Sequence, residues 1–98
     1  MSMSKKTLFD SVTTPGHLHR VLQFLKEGGP VDTKLEESGL TLLGLAAKHG
    51  NYDVVEFLIA NGADLNARDY FTRTPLYVAR KAGMNEVVEL LKNHGAVD

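Results

Sequence analysis

Residues 74–96 read TPLYVARKAGMNEVVELLKNHGA, and residues 41–63 read TLLGLAAKHGNYDVVEFLIANGA. Laid over each other at a shift of 33, Thr41 falls on Thr74, Leu43 on Leu76, Ala46 on Ala79 and Gly50 on Gly83. Val54-Val55 falls on Val87-Val88, Leu58 on Leu91 and Gly62 on Gly95. The same shift backwards takes Val54, Phe57, Leu58 and Gly62 to Val21, Phe24, Leu25 and Gly29. The chain therefore reads as three units of one period, the first the most divergent. A fixed period of this length marks an architecture in which each unit buries its apolar face against its neighbours.

Within each unit the pattern predicts two short helices. Thr74 is a helix-capping residue, and Pro75 suits the first helical position, where its missing N–H has no partner to lose. The first helix of the last unit then runs to about Ala82 and stops at Gly83. The second carries Val87, Leu90 and Leu91 at i, i+3 and i+4, one apolar stripe, and ends at Gly95. The middle unit repeats the scheme from Thr41 to Lys48, and from Val54, Phe57 and Leu58 up to Gly62. Leu43, Ala46, Phe57 and Leu58 are the expected core of that unit. The polar segments between units, Asp32–Leu40 and Asn66–Arg73, read as turns.

Composition sets outer limits. Ninety-eight residues give room for one domain, with 43% apolar and 23% charged residues, as in ordinary globular proteins. A net charge of −1 supplies no bulk field for nucleic acid or an acidic membrane. The absence of cysteine leaves no disulfide, thiolate zinc site or cysteine nucleophile, and suits a reducing compartment. No apolar run approaches a membrane span, and none follows MSMSKK as a signal peptide requires.

The two quoted stretches, with ADLNARD continuing the first, resemble ankyrin repeats. LFDSVTTPGHLHRVLQFLKEGGPVD is similar to the degenerate first repeat of such proteins. The resemblance covers about Leu8 to Val97. It implies an all-α solenoid of three helix-turn-helix units, about 5–33, 37–69 and 70–98, with β-hairpin-like fingers between them. Some positions depart from the family pattern. Leu42 stands for its Pro, Gly44 and Tyr77 for its His, and Thr72 for the finger Gly. Loss of the His is expected to loosen the stacking. Ala47 and Ile59 of the middle unit correspond to Arg80 and Lys92 of the last, and Lys26 of the first corresponds to Ile59. Polar outer faces of this kind are expected at the ends of a short array.

The sequence holds no catalytic constellation. His17 and His19 are two apart, so a helix splays them. His17, His49 and His94 fall at turns or helix ends, where polar residues are ordinary. Glu36-Glu37 reads as a solvated turn rather than an acid/base pair. The glycines lack phosphate-loop spacing, and the basic residues are not interleaved with aromatics. The chain is expected to be no enzyme and to use no metal or cofactor.

Two adjacent aromatics, Tyr70 and Phe71, stand on a segment with no face of its own to bury. Exposed aromatics on a loop point to a contact. The resemblance implies that finger tips and inner helices bind other proteins. Carried onto this sequence, the candidate contact residues are Tyr70, Phe71 and Arg73 on one finger. Glu37, Ser38 and Leu40 lie on the other, with Lys48, His49 and Lys81 on the inner helices. Of the two aromatics, Phe71 is expected to be partly packed and Tyr70 wetter. Lys48, Arg68, Arg73, Arg80 and Lys81 favour a partner with acidic groups around an apolar anchor. The expected function is a non-catalytic protein–protein interaction module, an intracellular adaptor, inhibitor or targeting subunit in cytoplasm or nucleus. It is expected to be monomeric, without nucleic acid or membrane as partner. The alternative is a structural domain that self-associates through the end of its stack, using Tyr77, Val78 and Met84.

Overall fold

The computed structural model describes residues 3–97. Six helices are present among them: α1 Lys5–Thr13, α2 Leu18–Lys26, α3 Leu42–Lys48, α4 Tyr52–Ala60, α5 Pro75–Lys81 and α6 Asn85–Asn93. Each has only seven or nine residues, a length that is marginal for an isolated helix in water. Their ends are set by local chemistry. The hydroxyls of Ser4, Thr41 and Thr74 accept the N–H groups of Thr7, Gly44 and Tyr77, at 3.2, 3.1 and 3.2 Å. Each such cap contributes about 1 kcal/mol.

The helices form three antiparallel pairs stacked side by side. α3 lies between α1 and α5 in an inner layer, and α4 lies between α2 and α6 in an outer layer. This placement explains the composition of α3. Every residue from Leu42 to Ala47 is buried, because neighbours flank it on both sides and α4 covers its back. In α5 the positions corresponding to Gly44 and Ala47 are Tyr77 and Arg80, and both are exposed. The outer helices bury Val54, Val55 and Leu58, and Val87, Leu90 and Leu91. Their other faces carry Asp53, Glu56, Glu86 and Glu89 to solvent.

The expected core needs one correction. Leu58 is fully buried, but Phe57 is half-buried at the edge of the core, because it lies one residue off the α4 stripe that faces α3.

Specific contacts join the pairs. Buried Asn51 donates through Nδ2 to the carbonyls of Val12 and Thr14, at 3.2 and 3.1 Å, satisfying the end of α1 from the middle pair. On the other side Met84 lies over Gly50. A Cβ at Gly50 would come within 2.6 Å of its sulfur, and φ there is +67°. Asp32 Oδ1 accepts from Asp64 N, and Asn66 Oδ1 accepts from Val97 N, both at 2.9 Å.

These contacts also correct the residues proposed for end-to-end association. Met84 packs inward against the core, Val78 is buried, and Tyr77 alone of the three is exposed.

Candidate functional site

Two loops stand at the edge of the inner layer as hairpin-like fingers. In finger 1, Asp32–Leu40, Leu35 N donates to Leu40 O at 2.8 Å, and Leu42 N donates to Thr33 O at 3.2 Å. Lys34 and Thr41 pair as an antiparallel bridge. In finger 2, Asn66–Arg73, Asp69 N donates to Arg73 O, and Thr72 N donates to Asp69 O, each at 3.0 Å. That pattern closes a three-residue hairpin loop whose last residue must be left-handed. Thr72 adopts φ +61°, alone among the described non-glycine residues in that region. A β-branched residue there carries about 1–3 kcal/mol of strain.

Asp69 holds this tip. Its carboxylate is fully buried. Oδ1 accepts from Phe71 N at 2.8 Å and from Arg73 N at 2.9 Å, and Oδ2 accepts from Arg73 Nε at 2.6 Å. Burial alone would raise the carboxyl's pKa. The Arg73 backbone N–H, its guanidinium hydrogen bond, the Phe71 N–H and the nearby positive charge outweigh burial, and hold the group below its usual value of 3.8. The guanidinium carbon also lies 5.1 Å from the centre of the Phe71 ring, a cation–π arrangement. Asp69, Arg73 and Phe71 thus form one connected stack at the finger tip. The sequence contained a signal for it, since Asp69 and Arg73 stand four apart across the turn.

Finger 2 docks on finger 1. Tyr70 N donates to Ser38 O at 2.9 Å. The Tyr70 ring lies on Gly39, where an added Cβ would approach Tyr70 Cδ1 to 2.5 Å. Even so, Tyr70 is 63% exposed and Phe71 68%. The expectation of one packed and one wet aromatic is therefore corrected. Both are open to solvent, and Tyr70 rather than Phe71 touches the neighbouring finger. The loop closure turns Phe71 outward, where Arg73 is its cover.

The other expected contact residues separate into three groups. Lys48, Arg73 and Lys81 come together with Tyr77, Val78 and Ala82 around a groove of about 240 Å³ between α3 and α5. Tyr77 and Arg73 also border a depression of about 470 Å³ that reaches Phe71 at the finger tip. Glu37 lies apart, with Lys5, Phe9 and Glu36 in a depression between α1 and finger 1. Ser38 is half-buried, its hydroxyl accepting from Leu40 N at 3.2 Å. His49 is exposed at the end of α3. Leu40 is a correction: it is 6% exposed and belongs to the core, because the finger folds that side chain beneath itself toward α3. Tyr77, Val78 and Ala82 were not among the expected contact residues, since only the packing of α5 on α3 brings them beside Lys48.

Among the described residues, no group of three or more His, Cys, Asp or Glu is disposed to hold a metal ion. No helix there is long and apolar enough to cross a membrane.

Three known proteins show sequence similarity over much of this fold. The ARF GTPase-activating protein GIT1 of Homo sapiens is 40% identical over 86 residues, 88% of this chain and 11% of its own. The RelA-associated inhibitor of Mus musculus is 38% identical over 89 residues, 91% of this chain and 11% of its own. The serine/threonine-protein kinase VIK of Arabidopsis thaliana is 46% identical over 57 residues, 58% of this chain and 13% of its own. The chain thus spans little more than a tenth of the length of these relatives. The profile of ankyrin repeats matches residues 8–98 in three copies. With its stacked helix pairs, capping threonines and fingers, the chain belongs to the ankyrin-repeat family.

Proposed function

We propose that this chain is a non-catalytic interaction module that holds one partner protein through finger 2 and the inner helices. It would serve as an adaptor, inhibitor or targeting subunit inside the cell, in cytoplasm or nucleus. Ankyrin repeats mediate protein–protein interaction. The observation that carries the reading here is the finger tip itself. Two aromatics are 63% and 68% exposed on a loop whose backbone is fixed by the Asp69 carboxylate. Rigid exposed aromatics lose little entropy on binding and dominate interface energies. The partner presents acidic groups around an apolar anchor, matching Lys48, Arg73 and Lys81 around the aromatic wall. The relatives named for action on another protein, the RelA-associated inhibitor and the ARF GTPase-activating protein, agree with such a role.

The test is affinity capture with the intact chain as bait, followed by mass spectrometry and repeated with Tyr70→Ala/Phe71→Ser. The double variant is expected to stay folded, with a melting temperature lowered slightly by loss of the Tyr70–Gly39 contact, and to lose the main captured protein. Retention of that protein by a folded double variant would remove the finger from the site. The burial of Val78 and the inward packing of Met84 weigh against association through the end of the stack. A monomeric mass in light scattering at high concentration is the expected result.

A further inference from the structure

The two halves of the inner face differ in charge. The depression between α1 and finger 1, about 480 Å³, is lined by both signs: Lys5 and Lys6 with Asp10, Glu36 and Glu37. The two lysines offset two of the three carboxylates, leaving this half slightly acidic, and Lys5 reaches Glu36 at 3.7 Å. Among the described residues, the groove between α3 and α5 has three cations on its wall and no carboxylate. Arg73 is already engaged, because its Nε donates to the buried Asp69. Lys48 and Lys81 are exposed and without an ion-pair partner among the described residues. Their field is the uncompensated one. The rest of the groove is Tyr77, Val78 and Ala82. Through Arg73 and Tyr77 it continues to the finger tip, where Phe71 forms the outer wall.

Resting on the interaction-module reading, we propose that this half of the inner face takes an extended acidic segment of the partner. One large apolar side chain of that segment seats between Tyr77 and Phe71, and its carboxylates face Lys48 and Lys81. An extended segment fits because the two depressions share Arg73 and Tyr77 as a wall and so form one continuous track with room for a few side chains. The roles of the cations then divide. Lys48 and Lys81 supply attraction and salt dependence. Arg73 is a positioning residue that holds the Phe71 ring against the Asp69-anchored turn.

Panning a random peptide library against the whole chain tests this. The enriched peptides are expected to carry Asp and Glu flanking an aromatic or Leu. Their amide perturbations in NMR spectra are expected at Lys48, Arg73, Tyr77 and Lys81. Lys48→Glu with Lys81→Glu should weaken the best peptide at least tenfold, and raising salt from about 0.05 to 0.5 M should weaken it severalfold. Arg73→Lys, which keeps the charge, should also weaken binding but leave the salt dependence as it was. Asp10→Asn with Glu36→Gln should change nothing. Enrichment of neutral or basic peptides that still map to the inner face overturns the acidic assignment and leaves the interaction-module reading standing. Failure to enrich any peptide overturns the extended segment and leaves the interaction-module reading to the capture experiment, whereas perturbations confined to the outer helices overturn both. Unchanged affinity in the folded Lys48→Glu/Lys81→Glu variant overturns the roles given to the lysines.

Discussion

The two fingers have related hydrogen-bonded outlines and opposite chemistry. Position by position, Glu36 of finger 1 corresponds to Asp69 of finger 2, Gly39 to Thr72 and Leu40 to Arg73. Finger 1 is anchored by apolar burial: Leu40 goes into the core, Gly39 takes the left-handed position without a Cβ, and Glu36 is left in solvent. Finger 2 is anchored by a buried carboxylate. Asp69 gathers two backbone N–H groups and a guanidinium, Thr72 bears strain, and the apolar side chains are left outside. Swapping an apolar anchor for an ionic one frees the aromatics of finger 2 from packing duty. Finger 1 supports the stack, and finger 2 presents a surface.

The comparison is broken most directly at Leu40. Leu40→Ala removes a buried side chain and is expected to cost about 2–5 kcal/mol, felt by the whole array. Chemical unfolding of the variant checks this. A cost within about 0.5 kcal/mol would mean that finger 1 is not anchored through the core.

Next in size is the carboxylate. Asp69→Ala leaves the Phe71 and Arg73 N–H groups without their acceptor and should cost about 1–3 kcal/mol. The corresponding Glu36→Ala should stay within about 0.5 kcal/mol, since its ion pair to Lys5 is exposed. The pH dependence follows from the sign of the shift. A carboxyl held below its unfolded value stabilises fully above about pH 4, and that stability is lost as pH falls through the folded pKa. The Phe71 and Arg73 amides should therefore lose hydrogen-exchange protection, measured against the intrinsic rate at each pH, in acid while those of finger 1 keep theirs. Parallel loss in both fingers would remove the distinction.

The third effect concerns the left-handed position. Gly39→Ala is expected to cost about 1–2 kcal/mol, from φ +77° and from contact with the Tyr70 ring. Thr72→Gly has the opposite sign. Relief of strain exceeds the entropy of the added glycine, giving about 0.5–1 kcal/mol of extra stability. Thermal melts of both variants decide it, and a destabilised Thr72→Gly would show that the Thr72 side chain makes contacts that outweigh its strain.

Most of the fold was legible in the sequence, because the period of 33 repeats the caps, glycines and apolar stripes that make each helix pair. The fingers were legible as turns and illegible in detail. Leu40 and Arg73 occupy equivalent positions, yet one is buried and the other half-exposed, a difference set by which finger carries a carboxylate able to reach back into the turn. Asp69 reads as an ordinary polar loop residue until the loop closes and brings the Phe71 and Arg73 N–H groups to it. The Tyr70–Gly39 contact joins fingers that are far apart in sequence, and no local pattern announces it. The groove was half legible: its lysines were expected, while Tyr77 and Ala82 enter only through the packing of α5 on α3.

The smallest effect on the fold is expected at the residue that matters most for the proposed role. Phe71 is 68% exposed and touches Arg73 through a cation–π contact, worth about 0.5–1 kcal/mol at an exposed site. It is not among the residues that pack on the core. Phe71→Ser should therefore shift the melting temperature little, and the hydrogen bonds from Asp69 should persist. If finger 2 exists to present this ring, affinity for the captured partner should fall at least tenfold, the loss expected of an interface hot spot. Tyr70→Ala is the sharper control, because its ring touches Gly39 and its loss should loosen the fingers as well as the contact. A Phe71→Ser variant that unfolds would make finger 2 a packing element like finger 1. A variant that melts as the parent and binds as the parent would shift the site along the groove to Lys48, Tyr77 and Lys81, leaving the exposed ring without a role.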